Sequence, residues 1–191
     1  MTAHEATVAP ADLTVTISPM RRRHLRSVLH IEGQVHPRPW SMNLFAGELE
    51  HPPSSRVYVV ATIGTTRATV VGYAGLILVD EDAHVTTISV DPRWQRHGIG
   101  TRLLHVLAAA ARDRGARNLT LEVRVSNEPA QALYRSFGFA PAGVRKGYYA
   151  ESNEDALVMW ANDIDTPEYA ARLERLDAAV PGRTVVEDLP R

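Results

Sequence analysis

The sequence predicts an α/β or α+β domain, in which helices cover the faces of a sheet, and three observations support this class. β-Branched runs alternate with amphipathic helical segments along most of the chain. A length of 191 residues is enough for one domain with a proper core. The composition, 45% hydrophobic and 23% charged, is that of a globular protein and not of a disordered one.

The N-terminal third predicts one strand and two helices. "LTVTIS" (13–18) alternates apolar and polar residues as a strand does, and the proline after it opens a helix over 20–32. "HPRPWS" (36–41) carries two prolines and is a loop. Its last residue, Ser41, can cap a second helix that runs to about residue 50.

The middle of the chain predicts three strands and then its longest helix. "SRVYVVATI" (55–63) and "TVVGYAGLILV" (69–79) are rich in β-branched residues and are separated by a Gly-Thr-Thr turn. "HVTTISV" (84–90) is a third strand. A run of Leu and Ala then predicts a helix over 98–114, which Gly115 ends.

A strand and a short helix follow. "NLTLEVRV" (118–125) alternates as a strand, and Asn127 with a proline two residues later marks a helix start. Gly138 ends this helix. Four of its residues share one face at helical spacing: Ala130, Leu133, Tyr134 and Phe137.

The C-terminal part predicts two final strands and an extension. "FAPAGV" (139–144) and "EDALVMW" (154–160) are strands around a loop that carries Tyr148 and Tyr149. After Trp160 the chain looks like an appended helix and tail. The expected organisation is a flexible tail at 1–12, one domain at 13–161 and a helical extension at 162–191.

Charge and composition exclude several function classes. A formal net charge of -1 gives no overall attraction to nucleic acid or to an anionic membrane. With no cysteine there are no disulfides, thiolate nucleophiles or zinc–cysteine sites, and the eight histidines lack compact ligand spacing, so no metal is expected. No signal peptide or membrane span is recognisable. We expect a cytoplasmic protein, a monomer or weak dimer, with no nucleic-acid or membrane partner.

The segment 95–101 carries two glycines where a strand leads into a helix. A helix N-terminus has unsatisfied N–H groups and partial positive charge, and glycine lets a bulky anion approach them. Gly98 and Gly100, with the charge of Arg96 and the hydroxyl of Thr101, could therefore cradle a diphosphate. The alternative is a turn that only lets helix and strand pack. The segment lacks the Gly-Lys-Ser/Thr ending of a P-loop and the third glycine of a dinucleotide-binding turn.

Two segments together resemble the GCN5-related N-acetyltransferases (GNAT). "ISVDPRWQRHGIGTRLL" is similar to their acetyl-CoA motif at Gln95, Gly98 and Gly100, and "LEVRVSNEPAQALYRSFGF" (121–139) to the motif that follows it. Within this superfamily the likeness is greatest to the RimI subfamily of bacterial ribosomal-protein alanine N-acetyltransferases, over about residues 13–161. The residues that carry the subfamily likeness are Pro39-Trp40-Ser41, Leu121-Glu122-Val123-Arg124, Ser126-Asn127, Ala132-Leu133-Tyr134 and Tyr148-Tyr149.

The resemblance implies a mixed, mostly antiparallel sheet that splays at an acetyl-CoA site, with helices on both faces. Backbone groups of the splayed strand would pair with the pantetheine, and the N–H of Val90 would polarise the thioester carbonyl. An ordinary buried strand is the alternative. The residues implied in acetyl-CoA binding are Ile88, Ser89, Val90, Arg96, His97, Gly98, Ile99, Gly100, Thr101, Asn127 and Tyr134.

The resemblance also implies that Glu122 is a general base. Alternation along its strand places Glu122 on the polar face, where a carboxylate paired with Arg124 or a lysine is the structural alternative. A base helps because an N-terminal amine, with a pKa of about 7.7–8.0, is largely protonated at neutral pH. Only the neutral amine attacks a thioester, directly and without an acyl-enzyme.

Tyr134 is implied as the general acid that protonates the departing thiolate, and the alternative is a core aromatic side chain. Asn127 has two compatible roles, as the cap of the following helix and as a contact of the cofactor.

The acceptor implied by the subfamily is a protein N-terminus, that of ribosomal protein S18, which begins with alanine. Trp40, Tyr148 and Tyr149 offer rigid walls and hydroxyls for an extended peptide, although each could instead belong to the core. Two rival functions stay open: acetylation of a small amine, an antibiotic or a lysine side chain, and a non-enzymatic acyl-CoA-binding sensor or assembly partner. The presence of both Glu122 and Tyr134 favours an enzyme.

Overall fold

The computed structural model describes residues 13–64 and 67–190, and the predicted tail at 1–12 lies outside them, as does part of the Gly-Thr-Thr turn. Within these residues the strands are β1 (Thr14–Pro19), β2 (Arg56–Ile63), β3 (Thr69–Val79), β4 (Asp82–Val90), β5 (Asn118–Arg124), β6 (Ala140–Tyr149), β7 (Glu154–Ala161) and β8 (Arg183–Val186). The helices are α1 (Leu25–Val35), α2 (Met42–Glu48), α3 (Ile99–Asp113), α4 (Glu128–Ser136) and α5 (Pro167–Ala178). In this part of the chain, no helix combines the length and apolarity needed to cross a bilayer.

The strands form one mixed sheet in the order β6-β7-β5-β4-β3-β2-β1-β8. Neighbouring strands are antiparallel except for two parallel pairs, β4 with β5 and β1 with β8. The expected fold class, a mostly antiparallel mixed sheet with accompanying helices, is therefore confirmed.

Helices cover both faces of this sheet because strand residues alternate between two buried clusters. Val59 belongs to the cluster under α3, whereas its neighbour Val60 belongs to the cluster under α1 and α2. The α3 cluster also takes in Tyr134 and Phe137 at the end of α4, so the functional helices share one core.

Local capping signals are confirmed at the helices that border the site. The Oγ of Ser41 accepts a hydrogen bond from the N–H of Leu44 at 3.2 Å. The Oδ1 of Asn127 accepts one from the N–H of Ala130, also at 3.2 Å. Each bond satisfies a donor that the helix itself leaves without a partner.

Two local predictions were wrong. Tyr148 and Tyr149 lie within β6 and not in a loop. The strand continues past an irregularity at Gly147, which has a φ of +58°, whereas a glycine at this place in the sequence suggests a turn. The first helix begins at Leu25, after a short 3-10 turn at Arg22–His24, and not at residue 20.

The segment after Trp160 contains more order than the helix predicted there. α5 packs against α3, and its Tyr169 and Leu173 enter the α3 cluster. The chain then forms β8, which pairs with β1 from Thr14↔Arg183 to Ile17↔Val186. β8 was not predicted because four residues give no periodicity, and its partner lies at the other end of the chain.

Candidate active site

The sheet opens between β4 and β5. These strands pair in parallel only from Asp82↔Asn118 to His84↔Thr120, and beyond that point they diverge. β4 stays paired with β3 as far as Gly72↔Val90, so its other edge faces the opening. The divergence produces the splay that the family resemblance implies.

The hydrogen-bond ladder decides which backbone groups face this opening. The N–H of Asp91 donates to the carbonyl of Val71 at 2.9 Å, so Asp91 directs its backbone groups toward β3. In an antiparallel pair, residues that bond to the partner strand alternate with residues whose N–H and C=O groups face away from it. Val90 and Ile88 therefore direct their N–H and C=O groups into the opening. Ser89 directs its backbone toward β3, which differs from the contribution expected of it.

A cleft of about 620 Å³, called here the glycine-turn cleft, lies beside the N-terminus of α3. Gly98 is the N-cap residue of that helix and has a φ of +73°, a conformation that favours glycine. Nine of the eleven predicted cofactor-binding residues line this cleft: Ile88, Val90, Arg96, Gly98, Ile99, Gly100, Thr101, Asn127 and Tyr134. The two others are engaged elsewhere, since the His97 Nδ1 lies 2.8 Å from the carbonyl of Gln95 and the Ser89 Oγ lies 2.8 Å from the Nε2 of His36.

A second cleft of about 380 Å³, called here the aromatic cleft, lies on the other side of the opening. It brings together the predicted base and the three predicted acceptor-binding residues, Glu122, Trp40, Tyr148 and Tyr149. Ile88, Asn127 and Tyr134 line both clefts. A group bound in one cleft can therefore meet a group bound in the other at these three residues.

The carboxylate of Glu122 is 8% exposed and lies between the imidazole of His84 and the guanidinium of Arg145. Its Oε2 lies 2.7 Å from the Nε2 of His84, and its Oε1 lies 3.2 Å from a guanidinium nitrogen of Arg145. The alternative pairing with Arg124 does not occur, because Arg124 forms ion pairs with Glu151 and Glu154. Glu122 is thus a desolvated carboxylate held at the edge of the aromatic cleft.

The side chain of Tyr134 is 8% exposed and lies where the two clefts meet. Burial raises the pKa of its hydroxyl well above the ordinary value of about 10. Tyr134 is therefore protonated at every physiological pH and can donate a proton from this position.

The aromatic residues of the cleft are fixed by their neighbours. The Trp40 ring lies 5.2 Å from the ring of Phe45, which anchors it to the core under α1. The Arg124 guanidinium stacks 3.8 Å from the Tyr149 ring centroid, and burial raises the pKa of Tyr149 to about 12. Tyr148 is the open wall, with 47% of its surface exposed.

Sequence reasoning missed a polar pair beside the aromatic cleft, formed by the partly exposed His36 and the buried Glu32. His36 lines the cleft, and its Nε2 lies 3.5 Å from Oε2 of Glu32, which is 3% exposed. The other oxygen of Glu32 accepts the backbone N–H of Trp40 at 2.9 Å. Burial raises the pKa of Glu32 and lowers that of His36. The available signal was the i, i+4 spacing of the two residues on a helix. His84 and Arg145 were also missed, because they meet Glu122 from separate strands.

Comparison with known proteins gives a consistent set of relatives. The model of the acetyltransferase (GNAT) family matches residues 25–139. A putative [ribosomal protein bS18]-alanine N-acetyltransferase of Bacillus subtilis is 38% identical over 141 residues, which cover 74% of this chain and 91% of the relative. The N-alpha-acetyltransferase RimI of Mycobacterium tuberculosis is 40% identical over 151 residues, 76% of this chain and 90% of the relative.

A solved structure agrees with these sequence relatives. The crystal structure of the ribosomal-protein-S18-alanine N-acetyltransferase from Escherichia coli superposes with a TM-score of 0.69 at 34% sequence identity. The superposition covers 78% of this chain and 94% of that one.

Proposed function

Because the chain belongs to the acetyltransferase (GNAT) family, we propose that it transfers the acetyl group of acetyl-CoA to the α-amine of a protein N-terminus. The expected acceptor is the N-terminal alanine of ribosomal protein S18, which the names of several relatives specify for those proteins. One observation carries the proposal. Two clefts with different chemistry, one at a helix N-terminus and one lined by aromatic rings and a carboxylate, meet at Tyr134.

The glycine-turn cleft has the features that coenzyme A requires. The N-terminus of α3 provides N–H donors and partial positive charge for a diphosphate. The outward-facing backbone groups of Ile88 and Val90 suit the amides of a pantetheine arm. Acetyl-CoA would supply an activated acetyl thioester to this site.

Glu122 is the proposed base. Its carboxylate can accept a proton from the acceptor ammonium, directly or through a water molecule, since it lies on the wall of the aromatic cleft. His84, whose side chain is 39% exposed, lies between Glu122 and solvent and can take the proton onward. On the other side, the guanidinium of Arg145 lies 3.2 Å from Oε1 and helps to hold the carboxylate in place.

Tyr134 and Val90 are proposed to stabilise the charges that develop on the thioester. The Val90 N–H would polarise the thioester carbonyl, and Tyr134 would protonate the sulfur as it leaves; both residues line the glycine-turn cleft, which supports these roles. The raised pKa of Tyr134 ensures that this proton is present across the working pH range. Val90 lines the glycine-turn cleft, and Tyr134 lines both clefts.

The aromatic cleft is the proposed acceptor groove. Trp40 and Tyr149 form fixed walls, and Tyr148 reaches toward solvent where the rest of a peptide would leave. We expect a preference for alanine, and after it serine or glycine, at the first position. The proposal assigns catalysis to residues 13–161, in the cytoplasm, with acetyl-CoA as the only cofactor and no metal.

Mass spectrometry of peptide panels tests the proposal. The protein is incubated with acetyl-CoA and peptides that begin with Ala, Ser, Gly, Leu or Glu, including the N-terminal sequence of S18. Blocking the α-amine should abolish acetylation, and blocking lysine side chains should leave it unchanged. Efficient acetylation of an internal lysine on a peptide with a blocked N-terminus would instead favour the lysine or small-amine class.

A further inference from the structure

Among residues 13–64 and 67–190, Arg102 on α3 is the largest side chain that is almost fully buried, with 1% of its surface exposed. Its guanidinium donates three hydrogen bonds, to Thr184 Oγ1 at 2.9 Å, to the Pro181 carbonyl at 2.5 Å and to the His97 carbonyl at 3.3 Å. All three acceptors are uncharged. Two of them belong to the C-terminal segment 180–184, and the third belongs to the glycine turn.

The charge of Arg102 has no direct anionic partner among residues 13–64 and 67–190. Its hydrogen bonds in this part of the chain go to the three neutral oxygens, and Asp177 acts on it through space and not by contact. A buried charge is costly unless something compensates it, and arginine keeps its charge in proteins. The site therefore holds a positive charge in a low-dielectric environment beside the turn.

The guanidinium lies directly against the backbone of that turn. A Cβ added at Gly98 would come within 2.7 Å of an Arg102 nitrogen and within 2.7 Å of the Val180 side chain. Gly98 lines the glycine-turn cleft. The C-terminal segment thus holds Arg102 in contact with Gly98, the residue beside which a diphosphate would bind.

The C-terminal segment is itself firmly attached. The N–H of Arg183 donates to the carbonyl of Leu13 at 2.8 Å, and that of Glu187 donates to the carbonyl of Ile17 at 2.9 Å. These bonds and the parallel pairing with β1 fix the position of Pro181 and Thr184 relative to the core.

We propose that Arg102, held by Pro181 and Thr184, is a positioning residue of the diphosphate site. Residues 180–184 consequently contribute to coenzyme A binding, because they hold Arg102 in place. Arg102 fixes the turn through the His97 carbonyl and adds long-range positive charge to the helix N-terminus, without touching the coenzyme. This inference rests on the proposed function, because it assumes that coenzyme A binds in the glycine-turn cleft.

Calorimetry on the full-length chain tests the proposal with Arg102→Gln, Arg102→Lys and Thr184→Val. We expect Arg102→Gln to weaken CoA binding about tenfold, since a charge in a low-dielectric site is lost, and Arg102→Lys to recover part of the affinity. Raising the salt concentration from about 0.05 to 0.3 M should weaken CoA binding less in Arg102→Gln than in wild type. The KM for acetyl-pantetheine, which lacks the diphosphate, should change little.

The matched control is Arg112→Gln. Arg112 is on the same helix and also binds the C-terminal part of the chain, through the carbonyls of Ile164 and Thr166, but it lies at the far end from the turn. It should leave CoA affinity unchanged. If Arg102→Gln does not fold, Thr184→Val, which removes one bond to the guanidinium, should weaken CoA binding two- to threefold, a change of about 0.5 kcal/mol.

Three results would overturn the proposal. The first is an unchanged CoA affinity in a folded Arg102→Gln or Thr184→Val protein. The second is that Arg102→Gln weakens the use of acetyl-pantetheine as much as it weakens CoA binding. The third is that Arg112→Gln weakens CoA binding as much as Arg102→Gln does. Failure of the wild-type protein to bind CoA would overturn the proposed function and this inference with it. That outcome is distinguished from a failure of the inference alone, because it is measured on the wild-type protein without any variant.

Discussion

The Nε2 of His84 lies 2.7 Å from Oε2 of Glu122, and the two side chains come from strands that separate immediately beyond this contact. The imidazole is 39% exposed and the carboxylate 8% exposed, so the pair connects the proposed base, which is largely shielded from water, to solvent. A carboxylate that hands its proton to a partly exposed imidazole can be regenerated after each turnover. This geometry makes Glu122 the first residue to test.

Glu122→Gln should keep CoA binding and lower kcat/KM by ~10²-fold, the usual contribution of a general base. The loss should be largest at low pH, where more of the acceptor amine is protonated and must give up a proton before attack. Steady-state rates between about pH 6 and 9 measure this. Glu81→Gln, which removes an exposed partner of Arg117, is the control. Wild-type rates in Glu122→Gln at every pH would eliminate Glu122 as the base.

Tyr134→Phe should lower kcat by ~10²-fold with little change in CoA affinity, because only the proton for the leaving thiolate is lost. The ring still fills its place in the core. Tyr169→Phe is the control, since the Tyr169 hydroxyl is also buried but lies on α5. A loss of the same size in both variants would indicate a structural effect and not acid catalysis.

Gly100→Val should weaken CoA binding about tenfold or more, equivalent to ~1.4 kcal/mol, because its side chain would enter the glycine-turn cleft. The fold should tolerate the change, since a Cβ at Gly100 meets Leu133 at 3.4 Å and Val90 at 4.0 Å, both ordinary contacts. Gly33→Val is the control, because it makes the same substitution in α1, where a Cβ would meet nothing within 4 Å. Calorimetry that gives equal CoA affinities for the two variants would remove Gly100 from the site.

Tyr149→Ala should raise the KM for an alanine-starting peptide about tenfold while the KM for acetyl-CoA stays near wild type, since a wall of the acceptor groove is removed. Tyr149→Phe keeps the stacking of the ring with Arg124 and removes only the hydroxyl, so it distinguishes the contribution of the ring from that of the hydroxyl. Val144→Ala, an exposed position on the same strand, is the control. Parallel increases in both KM values would contradict a role confined to the acceptor.

His36→Gln should make stability less sensitive to acid. Burial, and then the charge of Arg124, lowers the pKa of His36, so the folded state favours the neutral imidazole. The stability this provides is present at high pH and is lost as pH falls through the unfolded value of about 6.5 toward the lower folded value. Unfolding free energies between about pH 5 and 8 should fall less steeply in His36→Gln than in wild type.

The control for that measurement is His51→Gln, which changes an exposed histidine. A change of slope as large in His51→Gln as in His36→Gln would contradict the role assigned to His36. Equal slopes for wild type and His36→Gln would show that His36 does not contribute to acid sensitivity.

The sequence by itself determined the features that depend on near neighbours. Alternation along 118–125 placed Glu122 on the side away from Leu121 and Val123, and the cap at Asn127 set the start of α4. The glycine turn was recognisable because a helix N-terminus and its glycines are adjacent in the chain. These signals have periods of two to four residues, so a window of sequence contains them completely.

The tertiary structure alone decided which distant residues meet. Glu122 contacts His84 and Arg145 and not Arg124. The strand order places β4, which carries His84, on one side of β5, and places the irregular part of β6, which begins at Arg145, on the other. Arg102 becomes a buried cation only because β8 returns to pair with β1 at the opposite end of the chain. Such contacts depend on strand order and on the cost of burying polar groups, which no local pattern encodes.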